Sequence, residues 1–390
     1  MSFREKAYGL KEKRPFYPQI PSIKDLPTWV DREQELDLVD KALETARQGK
    51  ATNLIFVVGD YGLGKTMMLL KILDVARETA GSRVLTFHTN FISPQKISNP
   101  GVNIVLKIMR GIVQAKPKLK LTQPITKKLS QLHPDVLNLF EAAFGGNSDA
   151  TRKQVALDFL GGALKPSQPQ MRNLNIIRKL DTIEVSLEYF VGLLFLLKQS
   201  GIEMVVGVMD EFEYLFRLTS KAQQPIYLAV LRELYDMPSK WPPEWFEDSA
   251  AMALFFGISD DGQRYFLELG QVEGTTGGPI TPLKDRISYI FLRPFDRAST
   301  ELVIKKRLSL NRITGRYHGN PLIPFTEDYV DYVFKVSEGR PRWIIRDCDH
   351  VLDAGLGRKV RVLDARFARS VLQEKGLAGE AESQEQKAIT

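Results

Sequence analysis

Apolar positions along the chain follow two rhythms. Five short runs are apolar almost without interruption: Leu54–Val58, Val84–His88, Met204–Met209, Ala251–Ile258 and Ile287–Leu292. Runs of this length, rich in Val, Ile and Phe, suit strands buried on both faces of a parallel sheet. Between them apolar residues return at helical spacing, as in Met67–Ala76 and in the amphipathic Asp135–Phe140. From about residue 297 the pattern turns wholly helical: Thr300–Leu308, then 326–336, 341–354 and 363–374. Ser299 or Thr300 is expected to cap the first of these helices, and Pro341 suits the first turn of the third. Strands alternating with helices predict an α/β fold with a parallel sheet flanked by helices.

The same pattern sets expected boundaries. Residues 1–27, with Pro15, Pro18, Pro21 and Pro27, read as an extended arm that docks on a neighbour. Residues 28–296 form the α/β core, 297–374 a small α-helical lid, and 375–390 a disordered tail. The stretch between Thr66 and Asp210 is longer than two α/β crossovers require, so 91–185 reads as a helical insertion. The longest apolar run, Tyr189–Leu197, falls far short of the roughly 20 residues that cross a bilayer.

The loop after the first strand carries the most specific chemistry. Gly59-Asp60-Tyr61-Gly62-Leu63-Gly64-Lys65-Thr66, leading into Met67, is a complete G-x-x-x-x-G-K-[ST] phosphate-binding loop between a strand and a helix. Its glycines let the backbone wrap an anion, and the helix's first amides point at phosphate oxygens. Lys65 is expected to reach the β- and γ-phosphates of ATP, and Thr66 to hold Mg²⁺. The fold is then a P-loop NTPase.

A phosphate loop needs an acid to organise the metal. Met204–Met209 is a strongly strand-like run that ends in two acids, Asp210 and Glu211. Asp210 is expected to support Mg²⁺, and Glu211 to polarise a water for attack on the γ-phosphate. At the end of Ala251–Ile258, Ser259 is the first choice for a γ-phosphate sensor and Asp260 the alternative; a plain strand-to-loop transition accounts for the same letters. Arg286, just before Ile287–Leu292, is either an arginine finger acting in trans or a surface arginine. A glycine-rich loop at 274–279 precedes it.

Composition narrows this only a little. The 390 residues are 43% hydrophobic and 26% charged, which is ordinary for a soluble globular protein of two or three domains. One cysteine, Cys348, excludes an intramolecular disulfide, and four scattered histidines offer no zinc-site spacing. Met1–Lys6 lacks a signal peptide's apolar segment, so a cytoplasmic location without membrane attachment is expected. The net charge of +7 is concentrated in part: no acid occurs between Glu78 and Asp135, while lysines recur across 96–128. Such a basic stretch either makes non-specific contact with DNA phosphates or is a solvated face, and no stacking aromatics accompany it.

Two further segments carry a family resemblance. Thr28–Leu43 resembles the Val-Gly-Arg-Glu-x-Glu-Leu segment of AAA+ ATPases of the origin-recognition and helicase-loader-like clade, which shades into STAND regulators. Gly339-Arg340-Pro341-Arg342 resembles that family's sensor-2 pattern at the start of a lid helix. The resemblance implies that Val30 and Arg32 lie on the adenine side, with Asp31 where the family has glycine. It also implies that Arg342, or alternatively Arg340, reaches the γ-phosphate from the lid, and that the chain assembles with itself or a partner through AAA+ interfaces. A narrower likeness is to the ATP-binding proteins of bacteriophage-exclusion (BREX) systems, carried by Gly59–Thr66, Asp158–Gly162, Gly201–Ile202 leading to Asp210–Glu213, and Leu292–Phe295. The expected activity is ATP hydrolysis driving a switch or motor subunit on DNA or a DNA-acting complex. The alternatives are a STAND-like ATP/ADP module with little turnover and the ATPase subunit of a defence or mobile-element system.

Overall fold

The computed structural model describes residues 2–11, 15–16, 21–48, 52–90, 100–146, 148–162, 167–214, 224–268, 286–313 and 319–377. The chain divides into two compact units. One comprises Gln34–Val58 and Met68–Phe291; the other comprises Met1–Glu33, Gly59–Met67 and Leu292–Thr390. The phosphate loop thus groups with the lid and the N-terminal segment, a different division from the one read off the sequence.

Among the described residues the first unit holds a five-stranded, all-parallel sheet in the order β2-β3-β4-β1-β5. The strands are β1 (Asn53–Val58), β2 (Val84–Asn90), β3 (Met204–Asp210), β4 (Ala251–Ile258) and β5 (Ile287–Phe291). Each coincides with one of the five apolar runs. Interior position explains their letters: β3 is buried at every residue and β4 at all but its first. The edge strands carry the exceptions, with His88 exposed on β2 and Phe291 half-exposed on β5. Phe56, Phe212, Phe256 and Phe266 pack edge-on or tilted at centroid distances of 4.7–5.5 Å, an aromatic cluster between sheet and helices.

Helix α1 (Glu33–Arg47) precedes β1, and α2 (Lys65–Ala80) links β1 to β2. Between β2 and β3 lie α3 (Pro100–Gln114), α4 (Gln123–Leu129), α5 (Pro134–Phe144), α6 (Ala150–Leu160), α7 (Gln168–Leu174) and α8 (Ile183–Gln199). The cohesion of this stretch is largely apolar, and among the described residues Asp135 is a buried charged exception. Asp135, 2% exposed, accepts the amides of Ile177 and Arg178 at 2.8 and 2.7 Å, which offsets the cost of burying a carboxylate. Helices α9 (Gln224–Lys240), α10 (Pro243–Phe246) and α11 (Asp260–Glu268) complete the unit.

The second unit is built on the helices α12 (Arg297–Leu310), α13 (Glu327–Ser337), α14 (Pro341–Gly357) and α15 (Ala365–Glu374), in the stretch that the sequence reading named a lid. Two local expectations are corrected. Asp296, not Ser299 or Thr300, caps α12: its carboxylate accepts the Ser299 amide at 2.7 Å, because the helix starts two residues before Ser299. That bond holds the Asp296 carboxyl below the usual aspartate range. The N-terminal segment, read as an extended arm for a neighbour, instead completes the lid core. Tyr8, Leu10 and Phe16 are fully buried there, Arg4–Tyr8 is one helical turn, and Ile23–Thr28 is a 3₁₀ helix. The Tyr8 hydroxyl donates to the Val360 carbonyl, and Phe16 meets Phe325 edge-on at 5.9 Å. Residues 378–390 of the expected tail, the loop at 274–279 and Lys96 lie outside the described residues.

Candidate nucleotide site

In the lid-containing unit, loop Gly59–Met67 has the backbone its letters demand. Gly62 and Gly64 adopt φ of +90° and +93°, a region closed to ordinary side chains. Leu63 is buried, while Tyr61 is 59% exposed. Gly62, Gly64, Lys65, Thr66 and Met67 are half-buried. The Lys65 ammonium donates to the Gly59 carbonyl at 2.7 Å and lies 3.5 Å from that of Asp60. Helix α2 begins at Lys65, so the first-turn amides that attract anions belong to this loop.

The lid arginines meet the loop directly. Arg340 donates through Nη1 to Asp60 Oδ2 at 3.2 Å and to the Tyr61 carbonyl at 3.0 Å, and its guanidinium stacks over Trp343 at 4.8 Å. The Arg342 amide donates to the Gly62 carbonyl at 3.1 Å, and its guanidinium lies 4.6 Å over the Tyr61 ring. The two sensor-2 candidates are thereby distinguished: Arg340 is engaged by a carboxylate, Arg342 by an aromatic face.

The segment expected on the adenine side lies in the same unit. Val30 is buried in the lid core. Arg32 is 5% exposed, stacks over Phe295 at 5.1 Å and reaches the Leu63 carbonyl at 3.4 Å. Asp31 has φ +58°, which accounts physically for glycine at this position in the resembling family. Aspartate tolerates this conformation better than most side chains. Here its carboxylate also accepts the Arg32 amide at 2.8 Å and the Ser299 hydroxyl at 3.1 Å.

In the sheet-containing unit the acids lie at the C-terminal end of β3. Asp210 is 5% exposed and accepts the Glu211 amide at 2.9 Å. On β4, a Cβ at Gly257 would come within 2.7 Å of Asp210 Oδ1, so glycine leaves room for the carboxylate. Glu211 is half-buried and holds φ +59°, an uncommon conformation for a residue with a side chain. Asn90 pairs in register with Asp210 across the β2–β3 ladder, and its carbonyl accepts from Lys107 at 3.0 Å. Sequence reading passed over Asn90, whose only signal was its place at the end of the second apolar run. His88, on the same strand, is exposed at its surface yet partly desolvated by its neighbours, which lowers its pKa, partly opposed by the Asp210 carboxylate.

Ser259 and Arg286 occupy more structural positions than expected. The Ser259 hydroxyl accepts the Gly262 amide at 3.1 Å, an N-terminal cap on α11. Arg286 precedes β5, at the end of the sheet opposite the β3 acids. It pairs with Asp236 at 2.8 Å and stacks on Tyr235 at 5.3 Å.

Among the described residues no three or more His, Cys, Asp and Glu side chains gather into a metal site. Mg²⁺ asks for less, since it is commonly held by one or two carboxylates together with phosphates and waters. Thr66 in the lid-containing unit and Asp210 in the sheet-containing unit each carry an oxygen donor of the kind Mg²⁺ accepts. No helix among the described residues is long and apolar enough to cross a membrane.

No protein-family model matches the chain. No curated protein matches it in sequence. Solved structures do resemble it. The Aeropyrum pernix ORC2 protein, determined as ADPNP–ADP complexes, superposes with a TM-score of 0.52 at 14% identity, over 94% of this chain and 72% of that one. Cdc6p from Pyrobaculum aerophilum gives 0.47 at 12% identity over 94% and 71%. The Thermotoga maritima RuvB Holliday-junction branch-migration motor gives 0.40 at 13% over 92% and 72%. At such identities the first of these likenesses speaks to architecture alone, and with the parallel sheet and phosphate loop it gives the fold. The chain has the AAA+ P-loop fold.

Proposed function

We propose that this chain is an AAA+ ATPase that binds ATP with Mg²⁺, hydrolyses it, and works as a nucleotide-driven switch or motor subunit on DNA or a DNA-acting partner complex. The observation that carries the reading is the complete phosphate loop at a strand–helix junction, with glycine at both positions of strongly positive φ. In this reading Gly59–Met67 cradle the phosphates, Lys65 neutralises them, and Thr66 and Asp210 serve the metal. Glu211 activates the water, Val30 and Arg32 lie toward the base, and Arg340 or Arg342 senses the γ-phosphate. Ser259 as a sensor and Arg286 as a finger in trans are subsidiary parts of the proposal.

Contact with DNA is supported by Lys116, Lys118, Lys120 and Lys127, all exposed, while the intervening Leu119 and Leu121 pack inward. Their binding is expected to be salt-sensitive and indifferent to sequence. The narrower likeness to phage-exclusion ATP-binding proteins rests on the sequence motifs alone.

The test is Glu211→Gln. ATP binding should persist while steady-state turnover falls by about 10²–10⁴-fold; unchanged turnover sinks the assigned role. A regulatory module with little turnover is the second reading, favoured by the lid's ties to the phosphate loop. Turnover measured against protein concentration separates the two. A more than linear rise supports a finger in trans, and a flat, near-zero rate supports the module.

A further inference from the structure

Three cations of the lid-containing unit are turned onto acceptors of the phosphate loop itself. Lys65 bonds the Gly59 carbonyl, Arg340 bonds the Asp60 carboxylate and the Tyr61 carbonyl, and Arg342 lies on the Tyr61 ring. Of these acceptors only Asp60 is charged. It occupies a variable position of the motif, in the same loop whose backbone amides would hold a triphosphate. An anion there opposes a second anion. Arg340 is partly buried, 21% exposed, against 46% for Asp60. Its Nε is buried without a hydrogen-bond partner among the described residues and lies 3.7 Å from Glu338 Oε2. A guanidinium carries five donors in a fork suited to phosphate oxygens, so this one has bonding capacity to spare.

We propose that Asp60 is an internal competitor for the triphosphate, and that nucleotide binding exchanges Arg340 from the Asp60 carboxylate to a phosphate oxygen. The inference rests on the nucleotide-binding reading above and adds to it an affinity-setting residue and a release step. Asp60 holds Arg340, and through it the start of α14, on the loop. A phosphate oxygen takes over the guanidinium and frees the lid helix from that tie. Arg342 keeps its backbone bond to Gly62, so the exchange loosens the contact without abolishing it.

A pair that merely holds the structure together and a competing pair differ in sign. In the competing case Asp60→Asn removes the repelling charge and releases Arg340, so ATP binds more tightly. Arg340→Ala leaves Asp60 uncompensated, so ATP binds more weakly. The gain for Asp60→Asn should be about two- to fivefold, the range for a partly exposed ion pair. It should shrink as salt is raised, since both groups face solvent. Arg340→Lys, which keeps the charge and loses the fork, should fall between wild type and Arg340→Ala. Calorimetric titration of ATP into the full chain at low and high salt, with thermal unfolding as a check on folding, measures all of this. Unchanged or weakened ATP binding by Asp60→Asn, while wild type binds, overturns the exchange and leaves the nucleotide reading intact. Absence of ATP binding by wild type overturns that reading and the exchange with it.

Discussion

Two turns, each following a central strand of the sheet, handle the same backbone problem in opposite ways. After β1 the chain needs strongly positive φ twice, and glycine stands at both places, Gly62 and Gly64. After β3 it needs positive φ once, and there stands Glu211. Where function asks only for backbone amides, the residue with the least steric cost suffices. Where the proposed function asks for a carboxylate, the side chain is kept at a conformational cost of roughly 1–2 kcal/mol for a left-handed residue with a Cβ. Asp31 is intermediate. Its φ is +58°, but its carboxylate makes two hydrogen bonds that offset the strain.

The sharpest way to break this comparison is Glu211→Gly. Turnover should be lost by orders of magnitude, while denaturant unfolding shows stability rising by about 0.5–1 kcal/mol, strain relief less the entropy of a new glycine. Loss of stability would mean that the Glu211 side chain anchors the turn and that its conformation is not a cost. Next in size is Gly64→Ala. No atom lies within 4 Å of the added Cβ, so the whole penalty is conformational, about 1–2 kcal/mol, together with weaker ATP binding. A neutral result would remove the distinction between the two turns. The smallest effect is expected for Asp31→Gly, within about 0.5 kcal/mol by thermal unfolding, because relieved strain and lost hydrogen bonds nearly cancel. A large loss there would show that hydrogen bonding, and not backbone conformation, decides which residue occupies such turns.

What could be read in the sequence divides along similar lines. The five strands were legible because burial on both faces leaves continuous apolar runs, and the phosphate loop because its glycines and Lys65 are dictated locally. The order of the strands was not, since register and neighbours are set by long-range packing. Ser259 read as a sensor because its role as a cap depends on α11 starting one residue later. Arg286 stayed open between a finger and a surface arginine because its partner, Asp236, lies 50 residues away. The ties between Arg340 and the loop span 280 residues to Asp60, and no periodicity or spacing announces them. Asp60 itself read as one of the motif's interchangeable positions. Local chemistry is written locally, and its control is written in pairs.

The N-terminal segment illustrates this at the greatest separation. Tyr8 gives its hydroxyl to a carbonyl 352 residues further along the chain. At about 5–20 residues per second on the ribosome, roughly 20–70 s pass between the emergence of Tyr8 and that of its acceptor. Until the lid helices have been made, Tyr8, Leu10 and Phe16 have no lid core to bury them. A segment made later is thus what shelters one made earlier, and synthesis interrupted between the two leaves apolar side chains exposed.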